Sequence, residues 1–140
     1  MTRVIVESPF AGGFSNVRYG RECVKDCIDR GESPFAAHLL YTQKGLLDDR
    51  LPSERRKGIN AALGWLEVAD YIAVYMDLGV TPGMVVGIAR AARLNKPIHL
   101  RWIRGARRGQ VIDESDKDTR VDTVDNAGLG NGEALALQRP

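Results

Sequence analysis

The residues best suited to chemistry follow three apolar segments of the chain, at the point where each segment ends. Glu7 follows the first segment, His38 follows the second, and Asp77 follows the third. Because the carboxyl ends of parallel strands meet at one edge of a sheet, we expect these groups to share a crevice. Carboxylates there accept hydrogen bonds from sugar hydroxyls or act as acids, bases and nucleophiles. Glu7 and Asp77 are therefore the candidate catalytic residues, and an arginine-paired Glu7 is the alternative.

The segment Asp77–Met84 joins the end of the third apolar run to the start of a helical pattern. Gly79 permits a positive φ, and Gly83 permits a ligand to approach the backbone. Thr81 is the predicted helix cap, and the free N–H groups beyond it suit phosphate, carboxylate or sugar hydroxyl groups. We expect the ligand site to be centred here, with Gly79, Thr81, Gly83 and Met84 as ligand-binding residues. A capped connection without a ligand is the alternative.

The glycine-containing segment from residue 8 to residue 16 is expected to face the same crevice. Its glycines resemble a phosphate-binding loop, but neither the Walker pattern nor GxGxxG is present. Asn16 is predicted to cap the helix that follows. The candidate ligand-binding residues of this segment are Ser8, Pro9, Phe10, Gly12, Gly13 and Asn16.

Charged and aromatic side chains open the first helix, which is the end where cations are unfavourable. Arg18, Tyr19 and Arg21 lie there. Their presence indicates either an anionic ligand, contacted by Tyr19 and Arg21, or the neighbouring acids Glu7 and Asp77. His38 is either a structural histidine or a further ligand-binding and catalytic residue.

The alternation of short apolar runs with helical patterns predicts the order βαβαβαβ. This order is typical of an α/β three-layer sandwich of the flavodoxin or Rossmann-like type. We expect a parallel sheet of four to five strands with helices on both faces, and a long loop from His38 to Pro52. Ser53 is the predicted cap of the second helix. The predicted strands are 3–7, 33–37, 71–76 and 98–102, with a further short strand at 110–113.

The length of 140 residues predicts one domain, which we place at 1–112, followed by a flexible or subunit-contacting tail at 113–140. The first part carries a net charge of +6 and the second −4. This charge difference is small, and the sequence contains no run of basic residues with interleaved aromatic residues, so nucleic acid is not an expected partner. The chain shows no signal peptide and no membrane span, which predicts a cytoplasmic protein. Cys23 and Cys27 are expected to pack in the core, and no metal or cofactor is predicted.

Several short motifs, taken in order, resemble those of nucleoside 2-deoxyribosyltransferases and their Rossmann-like nucleotide-binding relatives. The resemblance covers residues 3–102, and the motifs are 8–10, 69–70, 77–79, 82–84 and 91–97. The strings 7–10, 34–43 and 52–55 also resemble uncharacterised proteins of phages and bacteria. The resemblance implies a nucleoside or nucleotide ligand and a homo-oligomer with sites at subunit contacts.

The transferases carry a nucleophilic glutamate four residues after the glycine of their Pro-Gly motif. Gly83 matches that glycine, so the matching position here is Gly87, and Thr81 stands where the family often has aspartate. Three hypotheses follow. In the first, another carboxylate (Glu7, Asp77 or Glu54) carries out N-glycosidic bond cleavage or transfer. In the second, the domain only binds or sequesters a nucleotide-derived signal, as a phage protein would. In the third, it is an interaction protein without a ligand.

Overall fold

The computed structural model describes residues 1–105 of the chain. Its four strands and four helices follow the predicted βαβαβαβ order, except that two helices lie between the second and third strands. The strands are β1 (Arg3–Glu7), β2 (Ser33–Phe35), β3 (Tyr71–Tyr75) and β4 (Ile98–Arg101), and the helices are α1 (Phe14–Asp29), α2 (Ala37–Leu40), α3 (Pro52–Trp65) and α4 (Pro82–Arg93). The predicted strand at 110–113, the domain boundary at 112 and the tail at 113–140 lie outside the described residues. None of the helices within 1–105 is both long and apolar enough to cross a membrane.

The four strands form one parallel sheet in the order β2-β1-β3-β4. The chain therefore reverses its direction of winding between β1 and β3. In open parallel sheets, a crevice forms outside the carboxyl ends of the strands at such a reversal. The predicted α/β fold is confirmed, and its topology places the carboxyl end of β1 where a ligand site is expected.

Helices cover both faces of the sheet, because successive side chains of each buried strand point to opposite faces. On one face, Val4, Val6 and Tyr75 pack with Cys23 and Cys27 of α1. On the other face, Ile5, Ile72 and Val74 pack with Met84, Ile88 and Ala91 of α4 and with Leu66, which directly follows α3. The three layers predicted from the sequence are present, and both cysteines are free thiols buried in the core.

Two predicted helix caps are wrong. Helix α1 begins at Phe14 after Gly13, which has a φ of 98°, so Asn16 lies inside the first turn and its side-chain amide donates to the carbonyl of Ala11. Helix α3 begins at Pro52 after Leu51, so Ser53 is also inside its helix. In both cases a glycine turn or a proline starts the helix before the polar residue is reached.

The predicted cap of α4 is confirmed. The Thr81 hydroxyl accepts a hydrogen bond from the backbone N–H of Met84 at 3.4 Å, and Pro82 occupies the first turn. The predicted loop from His38 to Pro52 is partly wrong, because Ala37–Leu40 form the short helix α2. His38 is thereby held on a helix next to the sheet and not on a long loop.

A buried ion pair crosses the α1 face of the sheet. Arg101 donates to both carboxylate oxygens of Glu32, at 2.7 and 2.8 Å, and to the hydroxyl of Tyr71 at 2.9 Å. Although burial disfavours its charged form, hydrogen bonds from Arg101 and Tyr71 hold the pKa of Glu32 below its ordinary value. Only 4% of the Arg101 side chain is exposed, so its charge depends on these partners.

Replacing Arg101 with methionine is expected to lower the free energy of unfolding by about 3 kcal/mol, because the Glu32 carboxylate loses its buried partner. The double variant Arg101→Met, Glu32→Gln removes the stranded charge and is expected to be more stable than the single variant. Urea unfolding of the three proteins measures both effects. A single variant as stable as the wild type would contradict this account of the ion pair.

Candidate functional site

A cavity of about 390 Å³ lies at the carboxyl end of β1, enclosed by α2, α3 and the start of α4. Its wall is largely apolar, with Ile59, Ala62 and Leu63 of α3 facing Val86 of α4. The polar groups on the wall are few and come from separate elements. A mainly apolar cavity with a few convergent polar groups is the usual form of a small-molecule site.

The Glu7 carboxyl projects into the space next to α4. Glu7 is the last residue of β1 and shares its face of the sheet with Ile5, which packs in the α4 core. A Cβ atom at position 87 would lie 2.7 Å from Cδ of Glu7 and closer still to its Oε1. Carbon atoms in contact are normally 3.5–4.0 Å apart. Glycine at position 87 therefore leaves the room that the Glu7 carboxyl occupies.

The Glu7 carboxyl has no hydrogen-bond or ion-pair partner among residues 1–105, although Arg55 and His38 line the same cavity. Burial raises the pKa of Glu7 to about 8, because the charged form loses water without gaining a partner. Raised carboxyl pKa values of this origin are common among catalytic acids and nucleophiles. The alternative from the sequence, a Glu7 paired with arginine, is not what the structure shows.

A serine–histidine pair lies beside Glu7. The Ser8 hydroxyl and Nε2 of His38 are 2.8 Å apart, and the Phe10 ring meets the His38 ring edge-on at a centroid distance of 6.1 Å. Burial lowers the pKa of His38 to about 4, so its imidazole is neutral at neutral pH. All three residues line the cavity.

The start of α3 supplies the remaining charged groups of the wall. Arg55 donates to Asp49 at 2.7 Å, and an added Cβ at Gly83 would lie 3.2 Å from Nη2 of Arg55. The Glu54 carboxylate accepts the backbone N–H of Asp48 at 2.5 Å. Glu54 was a candidate acid from the sequence, whereas the wall residues Arg55, Tyr41, Thr42 and Leu47 were not predicted. The spacing of Glu54, Gly58, Ile59 and Ala62 on one side of α3 was the signal that could have found this wall.

Asp77 is not on the cavity wall. Its carboxylate accepts hydrogen bonds from the Tyr19 hydroxyl at 2.6 Å and from the backbone N–H groups of Ile103 and Arg104 at 3.1 and 2.8 Å. Two residues before it, Tyr75 packs in the α1 core. The alternation of side chains therefore directs Asp77 towards α1, whereas Glu7 is directed towards α4. Of the two predicted catalytic acids, Glu7 lines the cavity and Asp77 does not.

The cavity brings together six of the predicted site residues, which are Glu7, Ser8, Phe10, His38, Thr81 and Gly83. The others do not line it. Tyr19 and Met84 are buried in the two cores, Gly79 has the predicted positive φ in a turn, and Arg21 is exposed on α1. Pro9, Gly12, Gly13 and Asn16 also lie outside the wall. No group of three or more metal-binding side chains exists within the described part of the chain.

Comparisons with known proteins agree with the fold. A family model described as "Domain of unknown function (DUF7768)" matches residues 2–101. No functionally curated protein matches the sequence. Among solved structures, a 2-deoxyribosyltransferase from the psychrotolerant bacterium Bacillus psychrosaccharolyticus superposes with a TM-score of 0.60 and 17% identity, over 97% of this chain and 96% of that chain. This likeness shows a shared fold, while phage origin and homo-oligomer formation stay predictions.

Replacing Gly87 with alanine is expected to lower the free energy of unfolding by about 1–3 kcal/mol, because the added Cβ displaces the Glu7 carboxyl. The same change in a Glu7→Ala background is expected to cost far less, since the clashing atoms are gone. Chemical denaturation of the four proteins of this double-mutant cycle gives the coupling energy. An equal cost in both backgrounds would show that Glu7 does not occupy this space.

Proposed function

The chain belongs to the family described as a domain of unknown function (DUF7768), and we propose that its cavity binds a nucleoside or nucleotide-derived ligand and cleaves or transfers the N-glycosidic bond. Glu7 is the proposed nucleophile. The observation that carries the proposal is the unpaired Glu7 carboxyl, which faces a mainly apolar cavity and lies against Gly87.

The comparison with the 2-deoxyribosyltransferase supports this assignment. That protein shares the fold, and the sequence resemblance places the nucleophilic glutamate of such enzymes at the position of Gly87. The Glu7 carboxyl fills the space that a side chain at position 87 would enter. In this chain the acid is therefore Glu7 at the end of β1 and not a residue of α4. Gly87 of α4 leaves the room that the Glu7 side chain needs.

The surroundings of Glu7 suit attack on an anomeric carbon. A carboxylate that attacks this carbon forms a glycosyl ester while the sugar develops positive charge. Apolar surroundings strengthen electrostatic attraction, so the developing charge stabilises the ionised carboxylate more strongly than it would in solvent. Because the pKa of Glu7 is raised to about 8, the reactive ionised form accumulates as pH rises towards that value.

Binding without cleavage is the second candidate function. It is favoured by the same raised pKa, because a largely protonated Glu7 at neutral pH can donate a hydrogen bond to a ligand and leave it intact. The two functions differ in what is recovered, which is free base and sugar in one case and the unchanged ligand in the other.

Incubation with a panel of nucleosides, nucleotides and NAD, followed by chromatography, is expected to show release of free base by the wild-type protein. Glu7→Gln is expected to slow the release by roughly 10³-fold or more, because the amide cannot attack the sugar. The surface variant Glu67→Gln is the matched control and is expected to retain the wild-type rate.

The rate of base release is expected to rise with pH and to level off above about 8, following ionisation of Glu7. Base release by Glu7→Gln at the wild-type rate would exclude Glu7 as the nucleophile. Tight binding with every ligand recovered intact would favour the second candidate function.

A further inference from the structure

His38 is held at the cavity by the arrangement of two neighbouring strands. β1 and β2 are adjacent and parallel. Ser8 and His38 follow the carboxyl ends of these two strands and therefore meet at that edge of the sheet. The His38 ring lines the cavity that also contains Glu7, and its Nε2 is 2.8 Å from the Ser8 hydroxyl. A histidine and an unpaired carboxyl thus share one largely apolar space.

Ser8 restricts the orientation of the imidazole. Only 4% of Ser8 is exposed, and an added Cβ at Gly20 of α1 would lie 3.3 Å from the Ser8 hydroxyl oxygen. Its partner in this confined position is Nε2 of His38. When Nε2 carries the proton and donates to Ser8, Nδ1 keeps a free lone pair. Within residues 1–105, no hydrogen bond engages Nδ1, so it is available to a water molecule.

The charged groups around the cavity leave the imidazole able to accept a proton. Glu7 lies on β1, Asp49 is paired with Arg55, and Glu54 is bonded to a backbone N–H. Burial lowers the pKa of His38 to about 4, which keeps the ring neutral over the ordinary pH range. A neutral imidazole that lines the same cavity as the Glu7 carboxyl is suited to remove a proton from water that attacks a bond at that carboxyl.

We propose that His38 is the general base that activates water in the second half of the reaction, so that the glycosyl ester is hydrolysed. The inference rests on the proposed function of Glu7. In the first half, a Glu7 oxygen bonds to the anomeric carbon, the carbon–nitrogen bond breaks, and the nucleobase leaves with the electron pair and takes a proton from solvent. In the second half, water attacks the same carbon and gives its proton to Nδ1 of His38. The ester bond breaks, and its electron pair returns to Glu7.

A general base that activates water makes hydrolysis the expected outcome when no acceptor nucleobase is present. The imidazolium formed in the second half returns its proton to solvent, since the lowered pKa of His38 makes it a stronger acid than an ordinary imidazolium. The expected products are then free base and free sugar.

The test is a rapid-quench experiment on the full chain, with a nucleoside that the wild-type protein cleaves. In His38→Gln the side-chain amide can still donate to Ser8, but it cannot accept the proton from water. We expect a burst of free base close to one equivalent of protein, followed by turnover roughly 10²-fold slower than in the wild type. Intact-mass spectrometry is expected to show a glycosyl adduct that maps to Glu7. Ser8→Ala, which loses only the positioning contact, is expected to slow turnover less.

Wild-type turnover in His38→Gln, or an absence of adduct in a folded variant, would overturn the role of His38 and leave that of Glu7 standing. If His38→Gln lost both the burst and the turnover, His38 would act in the first half of the reaction, and the proposal would be overturned. A wild-type protein that releases no base would refute the proposed function itself. If His38→Gln does not fold, the solvent isotope effect of the wild type decides, because the proposal requires an effect on the second half, and its absence there would overturn the role of His38.

Discussion

The chemistry proposed for this domain depends on one unfavourable arrangement, a Glu7 carboxyl that lies against Gly87 with no hydrogen-bond or ion-pair partner among residues 1–105. Burying an unpaired acid is unfavourable, and a structure chosen for stability alone would pair it or expose it. The cavity contains an arginine that could serve, but Arg55 is engaged by Asp49 from the preceding segment. Within residues 1–105, Arg55 is paired with Asp49 and no ion pair joins it to Glu7.

The two faces of the sheet divide the polar groups by role. On the α1 face, Glu32 is paired with Arg101, and Asp77 is paired with Tyr19 and backbone N–H groups. These carboxylates are saturated with donors, so they hold elements together and are poor candidates for reaction. On the α4 face, Glu7 lines the cavity and accepts no hydrogen bond from residues 1–105. The side-chain alternation of β1 and β3, set by the pleat, places the bonded Asp77 on one face of the sheet and Glu7, the proposed nucleophile, on the other.

Much of the fold could be predicted because it is encoded locally. The apolar run at Arg3–Glu7 and the Thr81-Pro82 start of α4 appear where they were expected. The candidate site was predicted less well, since its wall comes from tertiary packing of α2 and α3 against β1. The prediction that Asp77 lies beside Glu7 used only the fact that both residues follow apolar strands. Which face of the sheet each side chain occupies depends on the alternation of side chains along its strand. The alternation of side chains along each strand could have been followed in the sequence. The position of Arg55 next to the start of α4 could not, because it depends on tertiary packing.

The central claim, that Glu7 is a desolvated carboxyl without a partner, is tested most directly by titrating its side-chain carboxyl carbon by NMR in labelled protein, with Glu7→Gln used to identify the resonance. The account predicts a titration midpoint at about 8. A midpoint near the ordinary glutamate value of 4.5 would show a solvated or paired carboxyl and would contradict the account.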